Sequence, residues 1–228
     1  MEQNTPLNRC AKCRKEPRLC LCDTLPQAKD LKTRVVILQH PKEKNQPLGS
    51  AFLAHLLLSN SVYRAGLSWP NLKKVTGSDF SPAEWLVLDV GNKKVEIPEG
   101  APAVILDRKG VALPGLDFST RKGIIVLDGN WKQAKTLWWR NPWLSKLHRL
   151  VLRPPRVSLY GELRRESRDT NVSTIESIAY ALELIEQNPK IQEHLLTPFK
   201  ELLKRYVQRG KPSQPQTAAQ VVSKESVE

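Results

Sequence analysis

Five short apolar runs constrain the fold more than any other feature of this chain. They are Arg34–Gln39, Trp85–Asp89, Ala103–Asp107, Gly123–Asp128 and Arg149–Arg153. None alternates apolar with polar residues, so each reads as a strand covered on both faces. Helical patterns lie between or after them. Ser50–Ser59 is apolar nearly all round, which predicts a deeply buried helix with His55 inside it. Ile175, Ile178, Ala179, Leu182 and Ile185 recur at the spacing of one helix face. Asn188 and Pro189 break that helix, and a last one runs to about Arg209. Strands alternating with helices predict an α/β fold, a mostly parallel sheet flanked by helices. A chain of 228 residues is long enough to bury a core of that kind without staples.

All four cysteines precede the first run: Cys10, Cys13, Cys20 and Cys22. Two close pairs joined by a short loop can wrap one tetrahedral ion through four thiolates. Lys12, Arg14, Lys15 and Arg18 lie among them and favour the thiolate form. Two disulfides, four free thiols and an iron–sulfur cluster are the alternatives. Nothing marks the chain as secreted, and a Cys-x-Cys pair is awkward for a small disulfide loop, so zinc is the expectation. Four protein ligands close the site, which makes the zinc structural. It would hold a segment too short to make its own core. The expected organisation is a four-cysteine zinc-binding segment over 1–28, a main domain over 29–209 and a disordered tail over 210–228. Residues 1–4 show neither a basic flank nor an apolar stretch, so no secretory signal is expected. No apolar run approaches the ~18 residues that span a bilayer. The expected location is the cytoplasm, with no membrane and no obligate protein partner inferred.

Three of the runs end in aspartate, at Asp89, Asp107 and Asp128. Carboxyl ends of parallel strands are where α/β proteins build sites, although Asp89 and Asp107 are more simply read as turn caps. Asp128 leads straight into Gly129, Asn130 and Trp131. Glycine there permits close backbone approach or positive φ. Asn130 is a good N-cap, with Gln133 placed for a capping box. Ser173 and Glu176 have the same spacing ahead of the apolar-periodic helix.

The charge balance points to the partner. Lys and Arg number 36 against 23 Asp and Glu, a net charge of +13. Between Lys132 and Arg168 ten basic residues face only Glu162 and Glu166, so +8 of that charge sits in one stretch. The stretch includes Lys132, Lys135, Arg140, Arg153, Arg156, Arg164 and Arg165, with Trp138, Trp139 and Trp143 interleaved. Cations bind phosphates and aromatic faces stack on unpaired bases, which predicts an RNA-binding face. Each tryptophan taken singly is more simply a core residue.

The string Asp128-Gly-Asn-Trp131 resembles the Asp-x-Thr-Trp signature of the DTW-domain family. The resemblance extends through the cysteine segment, Ile37–Glu43, Leu48–Asn60, the stretch from Asp128 to Pro142 with Ala134 in phase, and Ser173-Thr-Ile-Glu176 followed by Ala179. Asn130 stands where the family usually has Thr; it keeps a capping side chain but not the hydroxyl. The resemblance implies a bacterial tRNA-uridine aminocarboxypropyltransferase. Such enzymes move the 3-amino-3-carboxypropyl group of S-adenosylmethionine to N3 of a tRNA uridine and release methylthioadenosine. It also implies a SPOUT-like fold with a trefoil knot. The candidate donor contacts are Asp107, Leu127, Gly129, Asn130, Trp131, Ser173, Thr174 and Glu176. Uridine N3 carries a proton at neutral pH, and Asp128, at a strand end beside a helix start, is the candidate base. An RNA methyltransferase on the same sheet, or a non-catalytic zinc-containing RNA-binding protein, are the competing readings.

Overall fold

The protein is described here from a computed structural model covering residues 9–79, 81–89, 95–113, 117–163 and 172–209. The expected tail, and Arg164, Arg165 and Arg168, lie outside the described residues. Six strands form one sheet: β1 Arg34–Gln39, β2 Ser61–Ala65, β3 Trp85–Leu88, β4 Ala103–Leu106, β5 Gly123–Asp128 and β6 His148–Leu152. Their order is β2-β1-β5-β3-β6-β4. Every pairing is parallel except that of β4 with β6.

The central strands are buried on both faces, as continuous apolar runs demand. Helices α1 (Ala51–Leu56), α4 (Thr174–Glu186) and α5 (Lys190–Gln208) cover one face. Helices α2 (Leu72–Thr76) and α3 (Trp131–Arg140) cover the other. A close approach between neighbouring strands explains the glycine that opens β5. A Cβ on Gly123 would lie 2.5 Å from the ring of Trp85, its partner across the β3 pairing. The cysteine segment is not a separate body, because Leu19 and Leu21 are fully buried in the cluster that contains β1, α1, α4 and α5.

Two expectations change, and one strand departs from the otherwise parallel pattern. The buried helix expected over Ser50–Ser59 ends at Leu56, and the chain turns into β2, an edge strand with a half-buried pattern. His55 is therefore partly exposed rather than inside; its Nδ1 lies 2.7 Å from Ser61 Oγ. β4 runs against its neighbour. The sequence from β3 to β4 carries two prolines and two glycines and no helical period, and its described residues form no crossover helix of the kind that returns a parallel strand.

Candidate active site and metal centre

The strands β1 and β5 end together, with Gln39 paired to Asp128 in register. Asp128 is buried. Its Oδ2 accepts 2.8 Å from Gln39 Nε2, and its Oδ1 accepts 2.5 Å from the Thr174 hydroxyl. Gln39 in turn accepts from the Tyr63 hydroxyl on β2. Burial, and then the Asp128 charge, push the Tyr63 pKa up. The carboxylate is thus gripped from two elements, β1 and α4, at the carboxyl end of the parallel strands, where α/β sheets bind ligands.

Two helices begin at this carboxylate. α3 starts behind Gly129 with Asn130 as N-cap, and both halves of the capping box form: Gln133 N–H donates to Asn130 Oδ1 at 3.1 Å and Asn130 N–H donates to Gln133 Oε1 at 2.6 Å. Such a cap contributes on the order of 1 kcal/mol. Gly129 is needed for close approach and not for positive φ, because a Cβ there would lie 2.7 Å from Gln133 Cβ. α4 starts at Thr174 with Ser173 as N-cap, again in a full capping box. Aligned helix dipoles place partial positive charge at both starts, which favours anions there.

Glu176 takes a different part from Asp128. It is fully buried, and its two oxygens accept from Leu159 N–H, the Ser158 hydroxyl, and the Ser173 N–H and hydroxyl, at 2.6–2.9 Å. It ties the loop after β6 to the start of α4, next to Thr174, which holds Asp128. Ser173, also buried, shares that work. Leu127 faces the α3 side as a core residue. Trp131 is partly exposed, with Lys135 Nζ 5.7 Å from its ring centroid.

Asp107 is not at this end. Because β4 is antiparallel, its last residues lie beside the start of β6, with Leu106 paired to Arg149. Asp107 Oδ1 accepts from Lys109 and Val111 N–H at 2.9 and 2.8 Å, and these bonds, Val111 first, lower its pKa. It holds a turn closed by Gly110 at φ +89°. Asp89 is likewise engaged, 3.6 Å from Arg149 Nη1. A cavity of about 530 Å³ is at the Asp107 end, lined by Arg108, Lys109, Trp138, Ser145 and Arg149 among others. Asp128, rather than this cavity, is the candidate site. Among the described residues, only there does a buried carboxylate meet two helix N-termini at the carboxyl end of the strands.

The cationic stretch is largely on the surface. Lys132, Arg140, Arg153 and Arg156 are exposed and Lys135 half-buried. Arg153 Nη2 donates to Ile97 O and Arg156 Nε to the Tyr180 hydroxyl. The tryptophans divide. Trp138 and Trp143 pack against the α3-side core, and Trp143 Nε1 donates to Trp69 O. Trp139 is 69% exposed.

The four cysteines converge, with all four Sγ atoms within 4.8 Å of one another. Cys10 and Cys22 are 3.4 Å apart and Cys13 and Cys20 3.6 Å, and all four are free thiols. Ligand sulfurs about 2.3 Å from a tetrahedral ion stand about 3.8 Å apart, so these side chains fit one metal ion and not two disulfides. The Cys13 backbone N–H and the Cys22 side chain draw the Cys10 pKa down to about 6, while burial and the Cys10 side chain push Cys22 up to about 12. One thiolate forms readily at Cys10, and a cation helps to draw the proton from Cys22.

Sequence reading missed three members of this neighbourhood: Gln39, Tyr63 and Lys15. Gln39 was visible as the last residue of a run whose register with Asp128 was not. Lys15 is buried; its Nζ donates to Pro47 O at 2.8 Å and Gly49 O at 2.6 Å. Burial lowers its pKa to about 8, opposed by the charges of Cys13 and Asp128.

No helix among the described residues is long and apolar enough to cross a membrane. No solved structure matches the chain. A Drosophila melanogaster protein named tRNA-uridine aminocarboxypropyltransferase 2 is 28% identical over 207 residues, 89% of this chain and 76% of its own. Relatives of the same name from Macaca fascicularis and Mus musculus are 29% and 27% identical, over 88% of this chain and 64% of each of theirs. The profile described as DTW domain matches residues 7–207. That match takes in the cysteine cluster, the Asp128 turn and the capped start of α4, and by it the chain belongs to the DTW-domain family.

Proposed function

We propose that this protein is a tRNA-uridine aminocarboxypropyltransferase that moves the 3-amino-3-carboxypropyl group of S-adenosylmethionine to N3 of a tRNA uridine. The observation that carries the reading is the gripped Asp128 carboxylate between two capped helix starts, in a chain whose relatives bear that name. S-adenosylmethionine supplies a carbon already activated by its sulfonium, and methylthioadenosine leaves. The protein's tasks are to hold that carbon against N3 and to take the N3 proton. Asp128 takes the proton, while Gln39 and Thr174 hold its carboxylate in place. The amides of Gly129, Trp131 and Thr174 lie where a donor carboxylate is favoured, whereas those of Asn130, Ile175 and Glu176 are already bonded to Gln133, Ser50 and Ser173 and act by fixing the two helix starts. Glu176 and Ser173 act by fixing the start of α4. Asp107 holds a turn at the far end and takes no part. In this reading the fold is SPOUT-like and knotted, supported by the position of β6, late in the chain, between the earlier β3 and β4.

Lys132, Lys135, Arg140, Arg153 and Arg156, with Arg164 and Arg165 outside the described residues, bind the tRNA backbone. Trp139 offers an exposed face for an unpaired base. The four-cysteine centre holds one structural zinc. The cytoplasm, where tRNA is modified, is the location this reading gives. Mass spectrometry of nucleosides decides it. Incubating purified protein with S-adenosylmethionine and tRNA should yield uridine heavier by one aminocarboxypropyl group. A methylated base would mark a methyltransferase, and unchanged tRNA a non-catalytic RNA-binding protein.

A further inference from the structure

The cysteine segment lies against the catalytic end of the sheet, and one of its side chains is otherwise unexplained. Arg14 follows Cys13 directly and has φ +58°, a left-handed conformation that a glycine adopts at no steric cost. The turn is closed by Arg14 N–H donating to Cys10 O at 2.8 Å, and glycine would serve that purpose better. What arginine adds is its guanidinium. The Cζ atom sits 3.8 Å from the centroid of the Phe52 ring on α1 and 5.6 Å from that of Tyr63 on β2. The two rings meet edge to face at 5.1 Å, so they form one aromatic bracket under a planar cation.

That bracket is joined to Asp128. The Tyr63 hydroxyl donates to Gln39, and Gln39 donates to Asp128. A small cavity of about 20 Å³ adjoins the bracket, lined by Arg14, Lys15, Gln39, Glu43, Phe52 and Tyr63 among others. Lys15 anchors the approach from behind, with its amine bonded to the carbonyls of Pro47 and Gly49. Arg14 is solvent-exposed, and its guanidinium is a planar fork of N–H donors.

We propose that the cysteine segment carries a substrate-binding residue, and that Arg14 holds an oxyanion of the substrates at the Asp128 end of the sheet. The inference rests on the transferase reading. Two oxyanions are available in that reaction: the carboxylate of the transferred aminocarboxypropyl group and an RNA phosphate next to the target uridine. A forked guanidinium suits either. The four-cysteine centre then does more than stabilise a short segment, because the turn it closes aims this side chain.

Arg14→Asn tests this, since asparagine tolerates left-handed backbone and removes the cation, and Arg14→Lys keeps the charge without the fork. S-adenosylmethionine affinity by calorimetry, tRNA affinity against salt, and metal content by elemental analysis are measured on each protein. If the carboxylate is the ligand, Arg14→Asn weakens donor binding at least tenfold, with tRNA binding unchanged. If the phosphate is the ligand, donor binding holds and the log–log salt slope for tRNA becomes less negative by about 0.7 to 0.9. In either case metal content stays at the parent level and Arg14→Lys recovers only part of the loss. Parent-like affinities for both ligands in Arg14→Asn overturn the inference and leave the transferase reading standing. A parent protein that binds neither ligand removes the transferase reading and the inference with it.

Discussion

Asp107 and Asp128 look alike in sequence, each ending a short apolar run and each followed by a turn, yet they lie at opposite ends of the sheet. Asp128 closes a strand whose neighbours all run in its own direction. Its carboxylate reaches Gln39 and Thr174, 89 and 46 residues away in the chain. Asp107 follows the strand that, among the described residues, runs the other way, and its carboxylate bonds to its own turn, two and four residues on. The lesson is that strand direction, not the local string, decides whether a terminal aspartate meets the crevice or the far rim. The carboxyl end is assembled from distant elements, and the amino end from a local turn beside an open cavity.

Glu176→Ala strikes the assembled end hardest without touching Asp128. It removes a fully buried carboxylate that accepts four hydrogen bonds, and strands their donors. The expected loss is about 3 kcal/mol or more of unfolding free energy, read by denaturant titration. A change within about 0.5 kcal/mol would mean that the loop after β6 and the start of α4 hold together without it. A smaller effect separates the two ends by their cations. Replacing Lys132, Arg153 and Arg156 with Gln should make the tRNA salt slope less negative by about 2 to 3, at about 0.7 to 0.9 for each phosphate no longer neutralised. Replacing Arg108 and Lys109 at the far rim should leave the slope near that of the parent. Equal losses from both sets would extend the RNA across both ends and weaken the comparison.

The sequence told much about one end and little about the other. The β5 run, its Asp128 terminus and the two capping boxes were legible because they are local: periodicity, a glycine, and cap residues at fixed spacing. The four cysteines were legible for the same reason, and their geometry fits one ion. β2 was not, because an edge strand with a half-buried pattern resembles a loop. The direction of β4 was not, because direction is a property of connections rather than of a run. Gln39, Tyr63 and Lys15 owe their roles to register and docking, so nothing near them in sequence announced Asp128. The tryptophans show the limit plainly: three lie within six positions, and only burial distinguishes the exposed Trp139 from its neighbours.

Single-turnover transfer to tRNA by Asp128→Asn and Asp107→Asn, measured beside donor affinity and thermal melting, tests the central claim most directly. Asparagine keeps the size of each side chain and can keep its turn, while removing the carboxylate. The account predicts that Asp128→Asn loses about a hundredfold or more in transfer rate, with donor affinity and melting temperature little changed, since a general base contributes about 10² to 10⁴. It predicts that Asp107→Asn transfers at the parent rate. Near-parent transfer by a folded Asp128→Asn protein, or a comparable loss in Asp107→Asn, would contradict it.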